Sequence, residues 1–173
     1  MLYVVGEVRG VTCLDNIMYA VCAVSSTIRL YNMDTYSPLD VVINVDGMIS
    51  PRDMVVSRDD HQLLIAEYTC IWRVSVVDQS YVKWLTTQST RHTFNTLSLT
   101  SRRLLVTSYE SHHLHQYDVT DRQLLRVVDL SQHLNYVYHA VETTRGTFVV
   151  GHHGTLQHSW QCAVSELFSV CHR

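Results

Sequence analysis

The chain has few of the features that mark common enzymes. Its 173 residues include six glycines, and no G-x-S-x-G, H-E-x-x-H or phosphate-binding glycine loop occurs. No apolar run approaches the roughly 18 residues of a membrane span. Thirteen basic and sixteen acidic residues give a net charge of −3, so the basic surface of a nucleic-acid or anionic-membrane binder is missing. The sequence therefore predicts no cofactor, no nucleic acid and no membrane as a partner.

Cysteine usage and the N-terminus indicate a compartment. The cysteines form an odd, scattered set without C-x-x-C spacing, so we expect reduced core thiols rather than disulfides or zinc ligands. The start, MLYVVGEVRG, lacks the basic leader, apolar run and cleavage site of a signal peptide. Provided that the start is complete, these observations predict a cytoplasmic protein. The five cysteines are Cys13, Cys22, Cys70, Cys162 and Cys171.

A repeat of strand-like segments organises the chain. Between Ser50 and Leu85, apolar and β-branched residues come in short bursts separated by turn-forming clusters, which predicts four consecutive strands. The third of these, Ile71 to Ser75, aligns with Ile28 to Asn32 and with Leu114 to Asp118 at a constant interval of 43 residues. A period in the low forties made of four strands is the spacing of a β-propeller blade.

The repeat predicts an all-β fold, a partial β-propeller of about three and a half four-stranded blades. Leu2 to Val8 would be the last strand of a preceding blade. The tail, 156–173, matches no blade and is either a short amphipathic helix or the product of a gene model that ran past its exon. Within a propeller region at 1–155, the predicted segments are 1–8, full blades at 11–45, 50–85 and 94–130, and a partial blade at 138–155.

The second blade is similar to the repeats of NHL-type and YVTN-type β-propellers. Pro51 stands where those repeats start, and an apolar first strand leads to the acidic turn Arg58-Asp59-Asp60. A second strand ending in a small and a polar residue, Ala66-Glu67, and an isoleucine-led third strand from Ile71 complete the pattern. The turn glycine is replaced by Asp60 or His61, and the Gly-His and Trp-Asp signatures of tryptophan-aspartate repeats are absent.

This resemblance implies a fold and only a broad range of functions. Propellers of these families mostly bind proteins, RNA or other ligands, and a minority are enzymes. Blades are buried on both faces, and natural rings need about four to eight of them. We therefore expect a fragment of a larger protein, or a chain that self-associates so that two copies close one ring.

Histidine is unusually frequent, with eleven residues that cluster in two places. One period before His152 and His153 lies Tyr109-Glu110, so both clusters fall at the turn between a second and a third strand. Equivalent turns of a propeller share one rim, which we interpret as a surface for a protein ligand; a zinc site or simply solvated histidines are the alternatives. The predicted rim residues are Glu67, Tyr68, Tyr109, Glu110, His112, His113, His152 and His153.

A channel metal would be a different function. Asp53, Asn95 and His139 occupy equivalent places, within one residue, near the starts of first strands, which line the channel of a propeller. Some six-bladed propeller enzymes hold a metal there with carboxylates and Asn, so the alternative is the remnant of a propeller hydrolase or lyase. Such residues also serve as turn residues bonded to their own backbone.

The favoured hypothesis is a non-enzymatic protein-interaction module of NHL-like type, a fragment of a larger protein. A truncated product without a function of its own is the remaining possibility.

Overall fold

The computed structural model describes residues 6–87, 93–108, 111–132 and 137–152. These ranges contain strands and no helix, so no helix long and apolar enough to cross a membrane occurs in them. The predicted tail at 156–173 lies outside the described residues, as do residues 1–5 at the other end. The strands are β1 (Val8–Leu14), β2 (Ile17–Cys22), β3 (Thr27–Asn32), β4 (Pro38–Asn44), β5 (Pro51–Ser57), β6 (Gln62–Glu67), β7 (Cys70–Ser75), β8 (Tyr81–Thr86), β9 (Phe94–Thr100), β10 (Arg103–Ser108), β11 (His113–Asp118), β12 (Leu124–Asp129), β13 (Val137–Glu142) and β14 (Phe148–His152).

The strands form antiparallel meanders in sequence order. Within the described ranges, three sheets have four strands each, β1 to β4, β5 to β8 and β9 to β12, and a fourth sheet has β13 and β14. The first strands begin at Val8, Pro51, Phe94 and Val137, which repeats the predicted interval of 43 residues. This arrangement confirms the predicted all-β class and the four-stranded blade.

The first strands β1, β5 and β13 share an irregularity that the sequence did not reveal. The register with the second strand shifts between Val8 and Gly10, and again between Pro51 and Asp53 and between Val137 and His139. A β-bulge of this kind bends the strand and leaves one residue unpaired. Across the bulge Val8 still pairs with Cys22. Val8 thus belongs to β1 and not to a preceding strand.

The three turns between third and fourth strands contain no glycine and still use the left-handed backbone region. Tyr36, Gln79 and Arg122 lie at equivalent positions of the three turns between third and fourth strands, with φ of 52°, 59° and 65°. His61, one of the residues predicted to replace the turn glycine, has φ of 51°. Non-glycine residues pay a small energetic penalty in this region, and side-chain hydrogen bonds support the turns. Asn32 Oδ1, for example, accepts from the amide of Asp34 at 2.9 Å.

By packing, the chain divides into two compact units, residues 1–94 and 95–173. In the first unit, the buried face of the β1 sheet packs on the β5 sheet through aliphatic and aromatic side chains, including Leu30 and Trp72. Gly10 lets β1 approach β5 closely, because a Cβ there would lie 2.7 Å from the Met54 nitrogen. The close approach explains why a glycine is placed inside a strand.

In the second unit, the β9 sheet packs on β13 and β14 through a smaller apolar cluster that includes Leu114 and Phe148. A polar contact joins the same two sheets at the bulge of β13. Thr96 and Thr107 both donate from their hydroxyl groups to the Tyr138 carbonyl oxygen, at 2.8 and 3.3 Å. Sheet-to-sheet packing in this unit therefore combines apolar burial with hydrogen bonds to a bulged backbone.

Candidate functional site

Within each unit, the loops divide between two ends of the sheets. In an antiparallel meander, the turn between second and third strands lies at the same end as the connector that leaves the fourth strand. The turns between first and second and between third and fourth strands lie at the other end. The end with the turns between second and third strands is called the predicted rim, because it carries the residues singled out in the sequence. The end with the turns between first and second and between third and fourth strands is called the opposite end.

Glu67 lies at the predicted rim as a buried support. Its Oε1 accepts hydrogen bonds from the backbone amides of Ile49 at 2.6 Å and Ser50 at 2.9 Å. Its Oε2 accepts from the Trp72 indole at 2.8 Å and the Cys70 thiol at 3.3 Å. The carboxylate thus ties the connector that precedes β5 to the turn between β6 and β7, and it is not presented to a ligand.

The same contacts set the protonation behaviour of the cluster. Burial alone raises the pKa of Glu67, but hydrogen bonds from Trp72, Ser50, Ile49 and Cys70 outweigh it, and the pKa lies below its usual value. Burial, reinforced by the hydrogen bond to Glu67, raises the pKa of the Cys70 thiol to about 12. Cys70 is therefore a protonated donor and not a nucleophile.

Exposed side chains flank this support. Ile49 is 68% exposed and Tyr68 is 41% exposed. The Ile49 amide nevertheless donates to the buried Glu67 carboxylate, and Tyr68 directly follows Glu67 in the chain. The Arg52 guanidinium stacks over the Tyr68 ring at 3.9 Å from its centroid, which is a cation–π contact. Ile49 and Tyr68, called the Ile49 surface below, therefore combine exposure with a fixed backbone.

The histidine part of the predicted rim lies in the second unit. His113 is half-buried, with Nδ1 at 3.3 Å from the Ser111 hydroxyl and Nε2 at 3.8 Å from Asp129 Oδ1. His112 is also partly buried, and its carbonyl oxygen accepts from the Leu130 amide. Backbone and hydroxyl hydrogen bonds from Ser131 lower the pKa of Asp129, so it is an anion beside His113 at neutral pH.

The other predicted rim residues are described only in part. His152 is the last residue of β14, and Tyr109, Glu110 and His153 lie outside the described residues. In the described ranges, no three His, Cys, Asp or Glu side chains come together as a metal ion would require. Cys13, Cys22 and Cys70 are free thiols.

The candidate channel residues follow the strand bulges. Asp53 and His139 each come directly after the irregularity of their strand, in β5 and β13. Asp53 Oδ1 accepts from the Met54 amide at 2.8 Å, which is the local backbone use that competes with metal binding. Asn95 is half-buried in β9, and His139 is exposed. None of the three belongs to a cluster of ligands in the described ranges.

A polar cluster at the opposite end of the second unit was not anticipated from the sequence. Glu142, at the end of β13, has a side chain that is only 3% exposed. Its Oε1 accepts from Arg103 at 3.2 Å and Arg126 at 3.3 Å, and its Oε2 accepts from the Gln116 amide nitrogen at 2.7 Å. Arg126 also donates to Gln116 Oε1 at 2.7 Å. The only sequence signal was Gln116, a polar residue at a buried position of β11.

Two open clefts adjoin this polar cluster, and Arg103 lines both. The larger, of about 360 Å³, lies between the turn after β9 and the turn after β13 and includes Ser101, Thr143 and Thr144. The smaller, of about 230 Å³, is lined by Arg103, Gln116, Leu125 and Arg126. Cationic and hydroxyl groups thus border the larger cleft, and cationic and apolar groups border the smaller one.

Comparison with known proteins identifies the class of fold. No protein-family profile and no curated protein sequence matches the chain. Among solved structures, the computationally designed Ika4 protein matches with a TM-score of 0.64 and 15% identity, over 85% of this chain and 86% of that one. A hydrazine synthase of Kuenenia stuttgartiensis matches with a TM-score of 0.70 and 14% identity, over 87% of this chain and 45% of that one.

The WD40 β-propeller domain of Doa1 matches with a TM-score of 0.66 and 13% identity, over 84% of this chain and 47% of that one. The chain therefore spans less than half the length of these two natural proteins, the hydrazine synthase and the Doa1 domain. At such low identity the similarity is one of fold. Together with the four-stranded sheets, it defines the chain as part of a β-propeller.

Proposed function

We propose that this protein is a non-enzymatic protein-interaction module that uses the predicted rim, with the Ile49 surface as its contact in the first unit. The observation that carries the proposal is the pairing of large exposed side chains with a fixed backbone: Ile49 is 68% exposed while its amide is bonded to a buried carboxylate. A contact that is already ordered loses little conformational entropy on binding.

The residue types also favour a protein ligand. Tyrosine and arginine are enriched among the residues that dominate protein interfaces, and Tyr68 and Arg52 form a stacked pair at this rim. His112 and His113 lie at the corresponding end of the second unit and are its own candidate contact. Assignment to an NHL-like type rests on the sequence pattern that starts at Pro51.

Site-specific photo-crosslinking in the cells of origin tests the proposal. A photoreactive residue at position 49 is expected to yield defined protein adducts that disappear when Tyr68→Ala is introduced. The matched control is a photoreactive residue in place of Val77, which is 77% exposed but lies at the opposite end. Equal adducts from both positions, or adducts that ignore Tyr68→Ala, would contradict a contact at the predicted rim.

The same proposal includes self-association, in which two copies of the chain close one ring. The native mass of the purified full chain by light scattering tests it, since a dimer is the expected closed form and a monomer would refute closure.

A further inference from the structure

At the opposite end of the second unit, Arg103 has hydrogen-bonding capacity that the described part of the protein does not use. A guanidinium carries five N–H donors, and within the described ranges Arg103 makes one hydrogen bond, from Nη1 to Glu142. Its side chain is 57% exposed and forms part of the walls of both clefts. Arg103 therefore offers most of its donors to a ligand in these clefts.

Within the polar cluster the charges do not cancel. Two guanidinium groups, Arg103 and Arg126, face one carboxylate, Glu142, which leaves one positive charge in the polar cluster. Asp118, which lies opposite Arg103 in the register of β10 and β11, is an anion that interacts with Arg102, and this second pair therefore adds no net charge. Both oxygens of Glu142 are already occupied by hydrogen bonds. The surplus charge matches a single negative charge, which is the charge of an Asp or Glu side chain and smaller than that of a phosphate at neutral pH.

The neighbouring groups are held in place before any ligand arrives. Arg126 is fixed by its bonds to Gln116 and Glu142 and by stacking on the Phe148 ring at 4.6 Å. Such pre-organisation lowers the entropic cost of binding. The Arg103 guanidinium is therefore held in place from one side, through Glu142, and open to solvent on the other.

The strand beside the smaller cleft suits an extended ligand. β12 is the last strand of its sheet, and it exposes Leu124, Leu125 and Val127. An edge strand can pair with an added peptide strand, whose side chains then enter neighbouring pockets. Leu125 lines the same cleft as Arg103. A ligand with an apolar side chain next to an acidic one could therefore place the apolar side chain on Leu125 and the acidic one on Arg103.

We propose that the two clefts around Arg103 bind an extended acidic segment of a partner protein, with one Asp or Glu carboxylate on Arg103 and an adjacent apolar side chain on Leu125. This inference rests on the proposed function of protein interaction, but it names a second contact surface and the chemistry of its ligand. The bound carboxylate accepts charge-assisted hydrogen bonds from the free donors of Arg103.

Peptide titration of the full chain, followed by amide NMR shifts, tests the inference. The probe is a blocked peptide with Leu-Glu-Leu between Gly-Ser flanks, compared with matched Leu-Gln-Leu and Leu-phosphoserine-Leu peptides. We expect the Leu-Glu-Leu peptide to shift the amides of Leu125, Thr144 and Gly146 and to bind less tightly in high salt. The glutamine peptide should bind at least about tenfold more weakly, since its neutral amide cannot form charge-assisted hydrogen bonds of carboxylate strength with Arg103.

Arg103→Gln is the decisive variant, and we expect it to keep the fold because position 103 is exposed and Arg126 still donates to Glu142 Oε1. It should weaken binding of the Leu-Glu-Leu peptide about tenfold or more. The matched control is Arg122→Gln, at an exposed turn position of the same end, where the equivalent residue of the second blade is already a glutamine, Gln79, with similar φ. That control should change affinity by less than about twofold.

The inference would be overturned by no binding to the unaltered chain, by equal binding to Arg103→Gln, or by tighter binding of the phosphoserine peptide. Peptide shifts at Ile49 and Tyr68 instead of the clefts would also overturn it, while leaving the proposed function standing. Conversely, the absence of protein adducts at position 49 would refute the proposed contact at the predicted rim, whereas the result of the peptide titration would not depend on it.

Discussion

Replacement of Glu67 by glutamine is the sharpest test of how the predicted rim is held. The carboxylate accepts from four donors, two backbone amides on Oε1 and the Trp72 indole and Cys70 thiol on Oε2. A glutamine side chain has one acceptor oxygen and one NH₂ group, so in either orientation its NH₂ group faces donors. Trp72 is buried, and its indole N–H cannot turn to water instead.

The expected cost follows from the donors that lose their partner. Each buried donor left without an acceptor costs about 1–3 kcal/mol, and the thiol is the weakest of the four. We therefore expect Glu67→Gln to lower the free energy of unfolding by about 2–4 kcal/mol. The matched control is Glu7→Gln, since Glu7 is exposed and its carboxylate pairs with exposed Arg9; it should change stability by less than about 0.5 kcal/mol.

Urea unfolding followed by tryptophan fluorescence measures the global effect, and hydrogen exchange measures the local one. Exchange at the Ile49 and Ser50 amides should accelerate selectively in Glu67→Gln if the glutamine NH₂ faces them, while amides inside β6 stay protected. If the glutamine NH₂ instead faces the Trp72 indole, the free energy of unfolding still falls, because the indole N–H then has no acceptor at this position. A Glu67→Gln protein as stable as the unaltered chain at pH 7 would refute the assigned role of the carboxylate.

The pH dependence provides an independent reading of the same cluster. Because the pKa of Glu67 is lowered on folding, its contribution to stability is complete above its usual value of 4.5 and is lost as the pH falls through the lower folded pKa. The free energy of unfolding should therefore decrease in acid more steeply for the unaltered chain than for Glu67→Gln. Parallel acid profiles for the two proteins would be inconsistent with this linkage.

Two further predictions concern the first unit. Gly10→Ala should lower the free energy of unfolding by about 1–3 kcal/mol, because its Cβ would lie 2.7 Å from the Met54 backbone nitrogen. The control Gly151→Ala, whose Cβ would have its nearest contact at 3.7 Å, should leave stability nearly unchanged. Equal effects of the two substitutions in urea unfolding would contradict the close packing of β1 on β5. Cys70, with a pKa of about 12, should resist iodoacetamide at pH 8 until the protein unfolds, whereas the partly exposed Cys13 should be alkylated in the folded protein. Mass spectrometry of the labelled peptides measures both reactions. Equal labelling of the two thiols would show that Cys70 is not buried.

The blade pattern could be predicted because it depends on local chemistry. Apolar bursts and turn clusters act over a few residues, so the segment at Ile71 to Ser75 was recognisable as a third strand and corresponds to β7. The bulges were not recognised, since nothing local distinguishes Arg9 or Arg52 from any strand residue. Glu67 was correctly placed near a turn, but its four donors come partly from a connector some 17 or 18 residues earlier in the chain.

The arginine cluster shows the limit most clearly. Arg103, Gln116, Arg126 and Glu142 come from four strands of two sheets, and no spacing in the sequence relates them. Periodicity along the chain encodes the strands, their order and the class of fold, because strand formation responds to neighbouring residues. Which polar side chains meet, and which of them keep donors for a ligand, depends on how one sheet packs on the next, and that packing sets the charges and clefts around Arg103.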